Sequence, residues 1–289
     1  MNWRSRSDVT VVSQRGNLDE LWQPAALKGS GLPAEACGGA VLAEEVPKLR
    51  ASSLVGTKVS ALALAFTVGA ASPAFATSTS GPVAAARAEA ARINLVSSDL
   101  PGWTQSPNVD TSSDDAMNAR VALCAGAPDP AKDDLADISS PYFDQGNTEV
   151  TSDVAVVRDR ADALQDLAGM KGNKMLPCLR HLAMPYLKTQ LPKGTTVSAF
   201  KIGFLAPDWV PPYSFGYRIT LVVSAKTASG TTVTEDLVTD EYGFLVGVTE
   251  LEVSASHFAA GAFAAPSPAL EERLVRLVQS RADRYAGSD

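Results

Sequence analysis

Histidine and cysteine are scarce in this chain of 289 residues, which has two of the former and three of the latter. A zinc site needs about four Cys, His or carboxylate ligands, and a catalytic cysteine needs a histidine partner. Beyond residue 76 the sequence also lacks G-x-S-x-G, the Walker loop, G-x-G-x-x-G, H-E-x-x-H and C-x-x-C. These absences predict a protein that is not an enzyme and has no cofactor and no metal.

Basic residues are the minority, with 25 Lys and Arg against 32 Asp and Glu and a net charge of −7. Nucleic acids and anionic lipid surfaces reward clustered positive charge, so we expect no nucleic-acid partner. An acidic stretch follows residue 128 but lacks the ligand spacing of an EF-hand loop. We expect a solvated face for its members, which are Asp129, Asp133, Asp134 and Asp137.

Long apolar runs are also missing. A transmembrane helix needs about 20 consecutive apolar residues, and no run of that length occurs in the sequence. The longest candidate, residues 59–71, follows Lys58 and leads to Ala74-Phe75-Ala76. A basic flank, a short apolar core and a small-x-small end are typical of a secretory signal peptide. We predict a signal peptide over 58–76 and a secreted, extracytoplasmic domain of the cell envelope over 77–289.

The signal peptide begins unusually far from Met1. Residues 1–57 are rich in Gly and Ala and show no sustained periodicity. One interpretation is a misassigned start, with translation beginning near Leu54 or Val55, and the other is a genuine unstructured leader. Under either interpretation, residues 1–76 are not part of the secreted domain and carry no information on its fold.

Two cysteines, Cys124 and Cys178, follow the predicted signal peptide, because Cys37 lies in the doubtful leader. An even pair in an exported protein is most simply a disulfide. His181 lies about one helical turn after Cys178, which leaves a Cys–His pair as the alternative.

The clearest structural signal is an alternation of apolar and polar residues, typical of half-buried strands, within residues 195–255. We predict meander strands over 197–204, 215–225, 232–239 and 244–253, and an earlier strand over 149–157. Asp240-Glu-Tyr-Gly243 is interpreted as a turn. Glu250 and Glu252 share one face of the last strand, which we expect to be solvated.

Helical periodicity is present on both sides of these strands. The pattern predicts helices over 82–92, 116–124, 158–168, 176–191 and 268–285. The predicted fold class is therefore α+β, with an antiparallel β-meander flanked by helices in a single domain.

Three prolines forbid regular structure in residues 206–213, so Trp209 and Tyr213 are placed on a loop. With Trp103 and Tyr217 they are predicted to rim a cleft that binds a small-molecule, lipid or other amphiphilic ligand. The alternatives are a module that binds another protein of the envelope and, less favoured, a secreted hydrolase.

The order of short motifs over residues 90–285 resembles a known family. After the signal peptide come Asp99-Leu-Pro-Gly-Trp103, Cys124, Ser140-Pro-Tyr-Phe143, the strand at 150–157, Cys178, Tyr217-Arg-Ile219 and a Leu-rich C-terminal helix. This order resembles the secreted actinobacterial sensor-like domains, typified by the extracellular domain of the mycobacterial kinase PknH, and the related Mog1/PsbP-like lipoproteins. The resemblance implies an antiparallel sheet flanked by helices that enclose a ligand-binding cleft. The sequence departs from the pattern in having one candidate disulfide where the kinase sensor has two, no kinase or transmembrane segment, and no lipobox.

Overall fold

A computed structural model describes residues 81–108, 112–128, 134–191, 194–226, 230–261 and 263–286. The predicted leader, the signal peptide and Cys37 lie outside the described residues. Within them the fold class is α+β, as predicted, with helices on both faces of one antiparallel sheet.

The sheet has eight strands in the order β1-β3-β4-β8-β7-β6-β5, and β2 also pairs with β4. One edge of β4 therefore pairs first with β3 and then with β2, while its other edge pairs with β8 along its length. The strands are β1 (Thr104–Ser106), β2 (Asp134–Ser139), β3 (Tyr142–Gln145), β4 (Thr148–Val157), β5 (Thr195–Phe204), β6 (Ser214–Lys226), β7 (Thr232–Val246) and β8 (Thr249–Ala259).

The described helices are α1 (Pro82–Ile93), α2 (Ser112–Ala125), α3 (Arg160–Lys171), α4 (Met175–Gln190) and α5 (Pro268–Tyr285), with a 3-10 turn at Ser97–Asp99. We call the sheet face beneath α1 and α5 the back face, and the face beneath α2, α3 and α4 the front face. All five predicted helices are therefore present, with ends that differ by a few residues.

The back face carries a continuous apolar core. Val154 of β4 and Val253 of β8 are fully buried there, against Leu274 and Val278 of α5. Beside this core, Arg281 Nη2 lies 2.5 Å from Asp99 Oδ1 and joins α5 to the 3-10 turn. The apolar stripe of α5 thus docks on the sheet, as a helix of this length requires for stability.

The front face is divided into two halves. Over β5 and β6 it is apolar, and residues such as Ile219 and Leu221 pack against α4. Over β4, β7 and β8 it is polar and still buried, with side chains that include Thr151, Asp153, Thr239, Glu241, Glu252, Ser254 and Ser256. A polar half beneath helices is the feature that distinguishes this sheet.

Strand β7 is continuous from Thr232 to Val246, so the predicted turn at Asp240-Glu-Tyr-Gly243 is wrong. These four residues pair with β6 on one side and β8 on the other. The chain instead reverses at Gly247, whose φ of 62° is a conformation that glycine adopts without strain. The acidic pair Asp240 and Glu241 consequently lies in the middle of the sheet.

The predicted disulfide joins Cys124 to Cys178, whose Cα atoms are 5.8 Å apart. It connects the last turn of α2 to the first turn of α4. The Cys–His alternative is therefore wrong, because Cys178 is already bonded and His181 lies exposed on α4. Within the described residues, none of the helices combines the length and the apolar character needed to cross a membrane.

We predict that replacing both bonded cysteines (Cys124→Ser with Cys178→Ser) lowers the free energy of unfolding. The bond spans 54 residues, and the chain-entropy model assigns about 4 kcal/mol to a loop of this length. Urea unfolding of the wild type and the double variant measures the difference. As a control, reductant should destabilise the wild type and leave the double variant unchanged. Equal stability of the wild type and the double variant in the absence of reductant would contradict the prediction.

Candidate functional site

An open cavity, which we call the acidic cleft, lies between the polar half of the front face and helices α2 and α3. Its empty space, including the part open to solvent, is about 730 Å³. The sheet supplies carboxyl groups from β2, β4 and β8, and α3 supplies another from above. These carboxyl groups belong to Asp137, Asp153, Asp166, Glu250 and Glu252.

Strand register brings the sheet carboxyls together. Asp153 lies directly opposite Glu252, and Ala155 is paired with Asp137 on one side and Glu250 on the other. Alternate residues of a strand point to the same face, so all four acidic side chains share the front face. Like charges directly opposite each other on paired strands are destabilising, so this arrangement disfavours full ionisation.

Glu252 is one of three deeply enclosed carboxyl residues of the cleft, with Asp153 and Asp166. Its exposed fraction is 6%, and its Oε1 has no hydrogen-bond partner among the described residues. Burial raises the pKa of Glu252 well above its usual range, and the carboxylates of Glu241, Asp153 and Asp137 raise it further. This environment favours the protonated form of Glu252 over the carboxylate.

Glu241 lies behind Glu252 and is fully buried. Among the described residues, no amide, hydroxyl or basic group donates a hydrogen bond to either of its carboxyl oxygens. Glu241 and Glu252 share a side-chain hydrogen bond, and burial raises the pKa of Glu241 as well. The two acids form a pair that retains a proton, because two ionised carboxylates so close together would repel.

Glu250 occupies the end of the cleft beneath α3. Part of its side chain reaches solvent, but its Oε1 is buried and has no hydrogen-bond partner within the described part of the chain. Burial raises the pKa of Glu250 well above its usual range, and the charge of Asp166 on α3 raises it further. Both glutamates of β8 are thus less acidic than free side chains.

The wall that faces the sheet carboxyls is formed by α2 and α3 and is mostly apolar, with Asn118 and Asp166 as its polar members. Apolar side chains of β6 and β7 lie beside the carboxyls on the sheet, and no Lys, Arg or His is among the described lining residues. The cleft therefore offers both carboxyl oxygens and hydrocarbon, which is the pattern of an amphiphile site. The main apolar members are Val121, Ala122, Leu167, Met170, Phe215 and Leu245.

Tyr217 lies at the boundary between the polar and apolar halves of the front face. Its hydroxyl donates a hydrogen bond to the carbonyl oxygen of Met170, near the end of α3. Burial raises the pKa of Tyr217 far above its usual value, and the charges of Glu241 and Glu252 add to the effect. Tyr217 therefore stays neutral and fixes α3 over the cleft.

A second buried acidic group lies on the back face and has a basic partner. Arg218 donates to Asp240 through Nε and Nη2, at 2.6 and 2.5 Å. Next to this pair, Tyr242 donates a hydrogen bond of 3.0 Å to Oε2 of Glu271. Burial raises the pKa of Glu271 to about 8, and the neighbouring Asp240 contributes in the same direction. This cluster joins α5 to the sheet and has no part in the acidic cleft.

The four aromatic residues predicted to rim a cleft do not lie together. Trp103 and Trp209 pack on the back-face core, where the ring of Trp209 is centred 4.9 Å from that of Tyr242. Tyr217 is fully buried on the front face, because strand alternation turns it there. Tyr213 is exposed on the proline-containing loop. A common rim is therefore excluded, and ligand binding by any of the four stays a prediction.

The expectation of a solvated face for Glu250 and Glu252 is wrong, because helices cover that face and the residues line the cleft. Asp137, expected in a solvated acidic stretch, lines it too. Sequence analysis missed Glu241 because it was assigned to a turn. Alternation showed that Glu250 and Glu252 share a face but not that helices pack on it.

The two histidines lie outside the cleft. His257 is half-buried with Nδ1 3.1 Å from Thr148 Oγ1, and His181 is exposed. In the described ranges, no group of three or more His, Cys, Asp or Glu side chains is arranged to hold a metal ion.

A search of protein-family models finds no match to this chain, and a search of curated proteins finds none either. The residues of the acidic cleft consequently take their roles from position and chemistry alone: the carboxyls of β2, β4, β8 and α3, the mostly apolar wall of α2 and α3, and the opening to solvent.

We predict that Gly243→Ala destabilises the protein and displaces one wall of the cleft. The ring of Phe215 lies directly over Gly243, so an added Cβ would overlap it. Overpacking of this kind costs about 1–3 kcal/mol. Gly203→Ala is the matched control, since a Cβ on that strand glycine meets nothing within 4 Å. Urea unfolding should show a loss for Gly243→Ala alone; equal effects would contradict the assigned position of Phe215.

We also predict that stability falls as the pH rises, through Glu271. Its pKa is raised to about 8 from 4.5, so the folded protein keeps a proton that the unfolded chain releases. The contribution is complete below pH 4.5 and is lost as the pH approaches 8. After allowance for solvent screening, the loss is about 1–2 kcal/mol.

Glu271→Gln imitates the protonated acid and should remove this part of the pH dependence. The variant should match the wild type at pH 5 and exceed its stability at pH 8 in chemical unfolding experiments. Glu272→Gln is the control, because Glu272 is on the same turn but forms a surface pair with Arg276. The assignment fails if Glu271→Gln and Glu272→Gln change the pH profile equally.

Proposed function

We propose that this chain is an exported, non-enzymatic, sensor-like module of the cell envelope that binds a small amphiphilic ligand in the acidic cleft. The observation that carries the proposal is the enclosure of Glu252, whose buried Oε1 has no partner in the described residues although the cleft beside it is open to solvent. An unsatisfied buried polar atom is costly in a folded protein. A ligand that supplies a hydrogen bond there removes that cost.

The opposite wall supports an amphiphile in particular. Val121 and Leu167 present hydrocarbon across from the carboxyls, so a ligand with a polar head and an apolar body satisfies both sides. Burial of apolar surface supplies most of the affinity in sites of this kind, and the polar group sets the orientation. The resemblance to sensor-like domains with a ligand-binding cleft agrees with this proposal.

The proposed location rests on the disulfide and on the sequence. Disulfides persist in oxidising compartments outside the cytoplasm, and Cys124 and Cys178 form one. The signal-peptide pattern at residues 58–76 points to the same compartment.

Binding is favoured over hydrolysis by the depth of the carboxyl pair. A general acid and a general base must both reach the reacting atoms. Glu241 is fully buried behind Glu252, so a ligand in the cleft contacts Glu252 and not its partner. The arrangement therefore suits recognition of a ligand better than two-carboxyl catalysis.

Three six-carbon probes test the proposal: 1-hexanol, hexanoate and hexylammonium. We expect at least one to bind saturably and to shift the NMR signals of cleft residues such as Ala155 and Leu167 in the protein spanning residues 77–289. Ala122→Phe should abolish binding by filling the cleft. Leu123→Phe is the control, because Leu123 is the next residue of α2 and is 80% exposed.

Binding of any probe that survives Ala122→Phe would place the site elsewhere, and failure of all three to bind would overturn the proposal. Native mass spectrometry of the protein purified from its own host gives an independent measurement. A co-purifying small molecule that Ala122→Phe excludes supports the cleft as its site.

A further inference from the structure

We infer that the acidic cleft selects ligands that carry a primary ammonium group, and that this group pairs with Glu252. The inference rests on the proposed function and names the class of ligand that the site accepts. Its basis is the juxtaposition of an enclosed, unpartnered carboxyl oxygen with an apolar wall in a cavity open to solvent.

The charges of the cleft favour a cationic head group over a neutral or anionic one. Five carboxyl side chains line the cavity, and the described lining residues include no basic group. An anionic head would add to a field of one sign, while a hydroxyl would leave that field uncompensated. An ammonium group brings three hydrogen-bond donors and a positive charge, and hydrogen bonds between charged groups are about twice as strong as neutral ones.

The position of Glu252 gives the ammonium group more than one acceptor. Asp153 lies directly across from Glu252 in the strand register, and both line the cavity. Oε1 of Glu252, like Oε1 of Glu250, is buried and has no hydrogen-bond partner in the described residues, so it gains from a new donor.

The apolar wall distinguishes an organic ammonium ion from a metal ion. Calcium and magnesium require a shell of oxygen ligands. Leu167 of α3 lies across from the sheet, Phe215 and Leu245 lie beside Glu252 and Glu250 on the sheet itself, and none of the three side chains provides an oxygen. They match the hydrocarbon part of an alkylamine instead, and a metal ion becomes one outcome of the test.

Binding of an ammonium ion displaces a proton. Burial beside other acids favours the protonated form of Glu252 in the empty cleft. Formation of the ion pair therefore releases a proton to solvent, and the carboxylate accepts hydrogen bonds from the ligand. The ionisable groups that face Glu252 or line the cavity with it come from β2, β4, β6, β7, β8 and α3, and they are Asp137, Asp153, Tyr217, Glu241, Glu250 and Asp166. Each of the acids competes for the same proton, and none of these groups is basic, so affinity should increase with pH.

The test compares hexylammonium with 1-hexanol, which has the same chain and no charge, over pH 5 to 8. We expect hexylammonium to bind about tenfold more tightly at pH 8. Its affinity should rise by up to about tenfold per pH unit, while that of hexanol stays constant. Calorimetry in two buffers of different ionisation enthalpy should show release of a proton for the amine alone.

Glu252→Gln should reduce the affinity for hexylammonium to that for hexanol and remove its pH dependence. Asp283→Asn is the control, because it removes one carboxylate from an exposed position on α5, over the back face. If Glu252→Gln does not fold, the pH dependence and proton release of the wild type still decide the outcome.

Several results would overturn the inference. Equal affinity for hexylammonium and hexanol in the wild type does so and leaves the proposed function standing, because a ligand still enters the cleft. The inference is also overturned if Glu252→Gln still prefers the amine, or if calcium chloride binds saturably at the cleft in place of the amine. Absence of binding by all six-carbon probes refutes the proposed function itself.

Discussion

Carboxyl groups lie on the front face of β4, β7 and β8, beneath helices, where a covered sheet face normally carries apolar side chains. Glu241 and Glu252 have exposed fractions of 0% and 6%. Burial of an isolated ionised carboxylate to this degree would cost more free energy than the whole net stability of a domain. The rest of the structure depends on how this constraint is met. Protonation meets part of it, because a neutral acid is much less costly to bury than a carboxylate.

The two faces of the same strand meet the constraint differently. On the back face, Asp240 is compensated by the guanidinium of Arg218, and Glu271 completes a cluster that fixes α5 to the sheet. On the front face, the neighbouring residue Glu241 has another acid, Glu252, as its partner. A cation-compensated cluster stabilises a closed interface. A carboxyl pair beside an open cavity leaves an acceptor within reach of the cavity, and this difference is the reason that the proposed ligand site is on the front face.

The sequence predicts those parts of the fold that depend on local periodicity. Strand β6 and helix α5 were identified from alternation and from an apolar stripe, and the disulfide from the count of cysteines. The continuation of β7 through Asp240 and Glu241 was missed, because adjacent acids before a glycine favour a turn, and only pairing with β6 and β8 overrides that preference. Alternation also shows that Glu250 and Glu252 share a face without showing whether helices cover it, so the acidic cleft follows from tertiary packing alone.

The same constraint explains why a cavity exists at all. A helix packs closely on a sheet when both surfaces are apolar, and the polar half of the front face gives α2 no such surface. Helix α2 packs instead on α4 and α3, and the bond between Cys124 and Cys178 holds its last turn to α4, which itself rests on the apolar half of the face. Tyr217 fixes the end of α3 from below through the carbonyl of Met170. Helices α2 and α3 are thus held by contacts at their sides and do not pack directly on the carboxyls. The space between the mostly apolar helices and the acidic face of the sheet has room for a molecule with one charged and one hydrocarbon part.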